Sequence, residues 1–167
     1  MLSESARMSS AAEARFRVQA PNSAPRAIKV IAMDSQSDGV VRRLAEHAWH
    51  HATFFTAAGS ADPDAPPARE GWLTDLSGHA SDLIDEVDHA DLVVMVAAPG
   101  GRADGASLVG EACSHRRVMT TALVVSAASA TDADLAKTLA QLRPWSLMVV
   151  VAQGDEYIDE MMTALRA

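Results

Sequence analysis

Asp91-Leu92-Val93-Val94-Met95-Val96-Ala97-Ala98-Pro99-Gly100-Gly101-Arg102-Ala103-Asp104-Gly105 carries the signal on which the fold turns. From Leu92 to Ala97 every residue is apolar, so a strand built from them hides both faces, as parallel strands covered by helices do. Pro99 to Gly105 interrupts the run with turn-forming residues. Apolar residues then return at helical spacing as Leu108, Val109, Ala112 and Cys113, and Met119 to Ala127, apolar but for Thr120, Thr121 and Ser126, is a second strand. Strand, loop, helix and strand in that order make a right-handed βαβ unit with a parallel sheet.

The same alternation extends in both directions. Ile28 to Met33 reads as a strand, and Val40, Val41, Leu44, Ala45, Ala48 and Ala52 share one helical face. Thr53 to Ala57 is a further strand, and Gly59 to Gly71, with Pro63, Pro66 and Pro67, an exposed loop. Ala80, Leu83, Ile84 and Val87 form a helical stripe. Thr131 with Asp134 is a capping pattern opening a helix with Leu135, Leu139 and Leu142, which Pro144 stops. Ser146 to Ala152 is the last strand. Ile158, Met161, Met162 and Leu165 mark a final helix, where spacing favours a core role for Met161, Met162 and Tyr157 over an interface role. The expected architecture is one α/β domain over 27–167, a Rossmann-like, mainly parallel sheet with helices on both faces. Residues 1–26, ending in Pro21-Asn22-Ser23-Ala24-Pro25, read as a tail or loosely docked helix followed by a linker.

Composition narrows the function classes. Only 4% of the 167 residues are aromatic against 49% apolar, so the core is made of Ala, Val, Leu, Ile and Met. A net charge of -8 without a Lys/Arg run argues against nucleic acid as a partner. Cys113 is the single cysteine, which leaves no internal disulfide and no multi-thiolate metal site. Residues 1–20 lack the apolar core of a signal peptide, and no run reaches the ~18 apolar residues of a membrane span. A cytoplasmic protein without membrane insertion is the expectation.

Any ligand of such a sheet sits at the carboxyl ends of the strands. The first such loop, Asp34-Ser35-Gln36-Ser37-Asp38-Gly39, lacks the early glycines that let backbone N–H groups approach a phosphate, and Asp34 and Asp38 put negative charge there instead. Ser37 or Asp38 reads first as a helix N-cap. The functional alternative gives Ser35 and Ser37 a small polar ligand or, with the two aspartates, a cation. The second loop has Gly100 and Gly101 to expose backbone donors, Arg102 to fork onto a carboxylate or phosphate, and Gly105 before the helix. Its bland reading is a glycine turn with Asp104 as helix cap and Arg102 in solvent. His47 and His51 lie i, i+4 on the first helix, beside Glu46 and His50, but no third ligand can be placed, and a polar helix face is the reading adopted. Cys113 and His115 are two apart on a helix and cannot act as nucleophile and base; a buried structural thiol is expected.

Several segments resemble the FtsZ/tubulin family. Ile28-Lys29-Val30-Ile31 is similar to its first strand, Phe54-Phe55 to its second, and Ala90-Asp91-Leu92-Val93 to its Ala-Asp-Met-Val strand. Glu111 lies within the next helix, Met119-Thr120-Thr121-Ala122-Leu123-Val124-Val125 resembles Leu-Thr-Val-Ala-Val-Val, and Leu139 to Leu147 resembles the approach to the sixth strand. The resemblance spans roughly 27–155 through order and spacing. It implies the family's nucleotide-binding half, yet the glycine run after the first strand is replaced by Asp34 to Asp38. The family's Gly-Gly-Gly-Thr-Gly-Thr-Gly phosphate loop retains only Gly100, Gly101 and Gly105, and the second domain that completes hydrolysis across a polymer contact does not follow.

The expectation is therefore a non-catalytic FtsZ-like domain acting as an interaction, scaffold or regulatory module, with a protein partner or a second copy and no cofactor. Two alternatives stand beside it. One is a binder of GTP or another phosphate ligand through Gly100, Gly101 and Arg102; the other is a small enzyme on a generic Rossmann-like fold using Asp34, Asp38 or the histidines.

Overall fold

Seven strands join in one sheet in the order β4-β3-β2-β1-β5-β6-β7 in the computed structural model, which describes residues 25–57, 71–154 and 157–167. The elements are β1 (Ile28–Ala32), α1 (Ser35–Ala45), β2 (Ala52–Ala57), β3 (Leu73–Asp75), β4 (Ala80–Ser81), α2 (Leu83–Asp88), β5 (Leu92–Ala97), α3 (Ala106–Arg116), β6 (Met119–Val124), α4 (Asp132–Leu142), β7 (Met148–Val151) and α5 (Tyr157–Ala164). Strands β2, β1, β5, β6 and β7 are parallel, whereas β3 and β4 add antiparallel at one edge. The protein is a Rossmann-like α/β domain. After the β3–β4 edge, α2 carries the chain back past β2 and β1 to pair β5 on the other side of β1, with Ile28 opposite both Ala52 and Leu92.

All six residues of β5 are buried, and alternate side chains enter two separate cores. Val93, Met95 and Ala97 meet α2, α3 and α4 through Leu83, Val109, Cys113 and Leu142. Leu92, Val94 and Val96 meet α1 and α5 through Val41, Leu44, Ile158 and Met162. Burying each Leu, Val or Met contributes about 1.5–3 kcal/mol, so this double-sided strand anchors both layers. The few large rings are accommodated by missing side chains: a Cβ on Gly110 would lie 2.6 Å from the Trp145 side chain, and one on Gly105 2.6 Å from Trp72. Met161 and Met162 are core residues, while Tyr157 is exposed.

Three local expectations are corrected. Helix α1 begins at Ser35, two residues after β1, and ends at Ala45, so of the loop expected over Asp34 to Gly39 Asp34 is the N-cap and the rest is the first turn of a helix. Ala48, Ala52 and the histidines lie beyond its end, where the Trp49 indole N–H donates to the Leu44 carbonyl at 2.8 Å. The stripe expected from Ala80 is divided: Ala80 belongs to β4, and α2 starts only at Leu83, capped by Asp82 accepting from the N–H groups of Ile84 and Asp85. Strand β6 stops at Val124, and Ala127 opens a short 3-10 turn. Residues 1–24 of the expected tail and 59–70 of the expected loop lie outside the described residues.

Candidate functional site

Helix α1 leaves β1 toward one face of the sheet and α3 leaves β5 toward the other, so their loops part at the topological switch point, where doubly wound folds place ligands. A crevice of about 340 Å³ opens there, lined by Asp34, Ser35, Gln36, Pro99, Gly100, Gly101, Arg102 and Asp134. The structure thus brings together Asp34 and Ser35 from one predicted loop with Gly100, Gly101 and Arg102 from the other. Ser37, Asp38, Asp104 and Gly105 do not line it.

Asp34, only 5% exposed, organises this junction. One carboxylate oxygen accepts from Gln36 N–H at 3.0 Å and Ser37 N–H at 2.8 Å; the other accepts from Ala98 N–H at 2.8 Å, across the sheet at the end of β5. Asp34, rather than Ser37 or Asp38, is therefore the N-cap of α1. Ser37 closes the capping box: its hydroxyl donates to Asp34 O at 3.0 Å and accepts from Asp34 N–H at 3.2 Å. With Ser37 fully buried in that role, its hydroxyl does not face the crevice. The N-terminus of a helix attracts an anion through its converging N–H groups. Here the anion is supplied by the chain itself.

The second loop is tied inward as well. Gly100 has φ +78°, and its N–H donates to Thr138 Oγ1 at 3.0 Å and to Asp134 O at 3.3 Å. Gly101 N–H donates to Ala98 O at 3.0 Å, and Ala103 N–H to Gln141 Oε1 at 3.1 Å. The donors expected to be exposed at Gly100 and Gly101 thus serve the loop's own conformation. A Cβ on Gly101 would lie 2.7 Å from the Asp34 carboxylate, so this glycine lets the loop close over that aspartate. Arg102 does not stand alone in solvent: its guanidinium meets Asp104 at 3.1 Å. Asp104 is not the helix cap, since Gly105 holds that position without a side-chain bond and packs on Trp72.

Asp38 sits one turn into α1 and faces β2. It accepts from Thr56 Oγ1 and, at 2.7 Å, from Arg42 Nε. Burial disfavours its charge, but these bonds and the Arg42 charge outweigh burial and hold its pKa below the ordinary carboxylate value. His47 and His51 share no helix face, because α1 has ended before both; His47 pairs instead with Asp159 on α5 at 3.0 Å. Among the described residues no group of three or more His, Cys, Asp or Glu is placed to hold a metal ion. Cys113 is buried in the core, and burial pushes its thiol up to about 12, so it has little thiolate character.

Helix α4 supplies the parts that sequence reading missed, Asp134, Thr138 and Gln141. Thr138 is fully buried within the α4 stripe, and its sequence position alone could not reveal that its hydroxyl serves the loop after β5. No protein-family model matches this chain, and no curated protein matches it significantly. Among the described residues no helix is long and apolar enough to cross a membrane.

Proposed function

We propose that this chain is a non-catalytic domain of the FtsZ/tubulin kind, working in the cytoplasm as a protein-interaction, scaffold or regulatory module whose partner is another protein or a second copy. One observation supports this above the rest. The carboxylate of Asp34 takes the N–H groups of Gln36, Ser37 and Ala98, the groups a phosphate at this switch point would need, and the Gly100 N–H is committed to α4. A triphosphate would have to displace a buried carboxylate and then lie against Asp134 as well. Among the described residues that line the crevice, Ser35 is the one hydroxyl side chain, and no histidine or cysteine is present.

The second reading, a phosphate-ligand binder, draws on the open crevice and on Arg102 at its rim. A thermal-shift panel separates the two. Binding to the native state at 100 times Kd raises stability by about 2.7 kcal/mol, enough to move a melting temperature by several degrees. Millimolar GTP, ATP or inorganic phosphate, with and without magnesium, should leave the melting temperature unchanged. A magnesium-dependent rise that Arg102→Glu removes would establish the second reading in place of the first.

A further inference from the structure

Gly100 and Gly101 each make room for a carboxylate. A Cβ on Gly101 would lie 2.7 Å from Asp34 Oδ2, and one on Gly100 3.2 Å from Asp134 Oδ1, so the paired glycines admit an acid on each side of the loop after β5. Both aspartates line the crevice. Asp34 accepts from three N–H groups, where a carboxylate has about four lone-pair sites. Asp134 accepts from the Thr131 hydroxyl at 2.7 Å. Among the described residues neither carboxylate is paired with a Lys, Arg or His, although buried charge is normally paired. Arg102, the one basic residue lining the crevice, meets Asp104, which lies outside it. The amino ends of α1 and α4 bring about half a positive charge each, so two carboxylates leave the crevice negative by about one charge. Its loop has no donor to spare for an anion, since Pro99 lacks an N–H and those of Gly100 and Gly101 are already bonded.

The crevice continues beyond Asp134. A second pocket of about 350 Å³ shares Gln36, Pro99 and Asp134 with it and is lined further along by Val40, Ala98, Val125 and Ala130. The two make one groove over the carboxyl ends of β1, β5 and β6, with carboxylates in the first part and mainly apolar walls in the second. A bare metal ion does not match this lining, because it needs several oxygen ligands within ~2.0–2.6 Å and no group of three or more His, Cys, Asp or Glu is so placed among the described residues. A methylene chain ending in a charged donor matches both parts: the chain lies along Val40, Val125 and Ala130, and its head reaches the carboxylates. We propose that this groove binds a primary ammonium group on a methylene chain, held by Asp134 with Asp34 behind it, the chemistry of a lysine side chain or an aliphatic polyamine. The proposal rests on the crevice being closed to phosphate, and it gives the interaction module a basic side chain to recognise.

Isothermal titration of the full chain with spermidine and, separately, with N-acetyl-lysine methylamide tests the proposal, the norleucine analogue serving as a neutral control of the same length. At least one of the two amines should bind saturably, one per chain, at millimolar concentration or below, and the norleucine compound should not. Asp134→Asn should weaken that binding at least tenfold with circular dichroism unchanged. Asp132→Asn removes an exposed charge from the same helix outside the groove and should leave binding unchanged. This comparison separates a site from the general attraction of a chain of net charge -8 for cations. Binding of the lysine compound assigns the groove to a partner's lysine; binding of spermidine alone assigns it to a free polyamine. If neither amine binds, or if Asp134→Asn and Asp132→Asn act alike, the proposal is overturned. Magnesium GTP in a parallel titration keeps the two failures apart: GTP binding contradicts the closed crevice, whereas silence from GTP and from both amines contradicts the ammonium site alone.

Discussion

Asp34 shows how one buried side chain can tie together two loops at the end of a parallel sheet. Its carboxylate satisfies donors from two loops while buried, so replacing it leaves those donors without a partner. Asp34→Ala should cost about 1–3 kcal/mol for each bond whose buried donor finds no water, seen as a lower midpoint in urea unfolding. An unchanged midpoint would mean that solvent reaches the junction. Asp38 gives a separate handle through pH. Its folded pKa lies below the ordinary 3.8, so its contribution to stability is present above that value and is lost as pH falls through the folded pKa. Between pH 5 and pH 2.5 the Asp38→Asn variant should therefore lose less stability than wild type. Equal losses would show that the bonds from Thr56 and Arg42 do not favour the charged form.

At the scale of elements, the loop after β5 is held by α4. Thr138→Val keeps the shape but removes the nearer of the two acceptors of the Gly100 N–H, leaving only Asp134 O at 3.3 Å. It should destabilise the fold by about 1–3 kcal/mol and speed exchange of the Gly100 amide more than that of amides in β5. Uniform exchange in both variant and wild type would contradict that tie. The parallel strands were legible because β5, and β6 from Ala122 onward, are apolar on both faces and bounded by turn residues, a pattern no surface helix shares. The hairpin β3–β4 was not legible, since strands of three and two residues are too short to display a period. The start of α1 was missed for a related reason. Ser35-Gln36-Ser37-Asp38-Gly39 has loop composition, and the capping box that starts the helix pairs Asp34 with Ser37 rather than with the usual Glu or Gln. Of the candidate site, alternation of strands and helices put both loops at the carboxyl end of the sheet, but where the donors of the second loop point depends on Thr138 and Gln141 of α4, a tertiary contact.

Across the whole molecule, the sheet still brings its two central loops to the switch point, and the junction between them is filled by the protein's own carboxylate. Fold alone does not decide function, so the proposal stands or falls on whether that junction accepts an external anion. The most direct measurement is an amide NMR titration of the isotope-labelled full chain with magnesium GTP and, separately, inorganic phosphate, following Gln36, Ser37, Ala98 and Gly100. The account predicts that these amides are protected from exchange in the free protein and keep their chemical shifts to millimolar ligand. Saturable shifts at those four amides, together with rapid exchange before ligand is added, would show that their N–H groups are available to a phosphate and would contradict it.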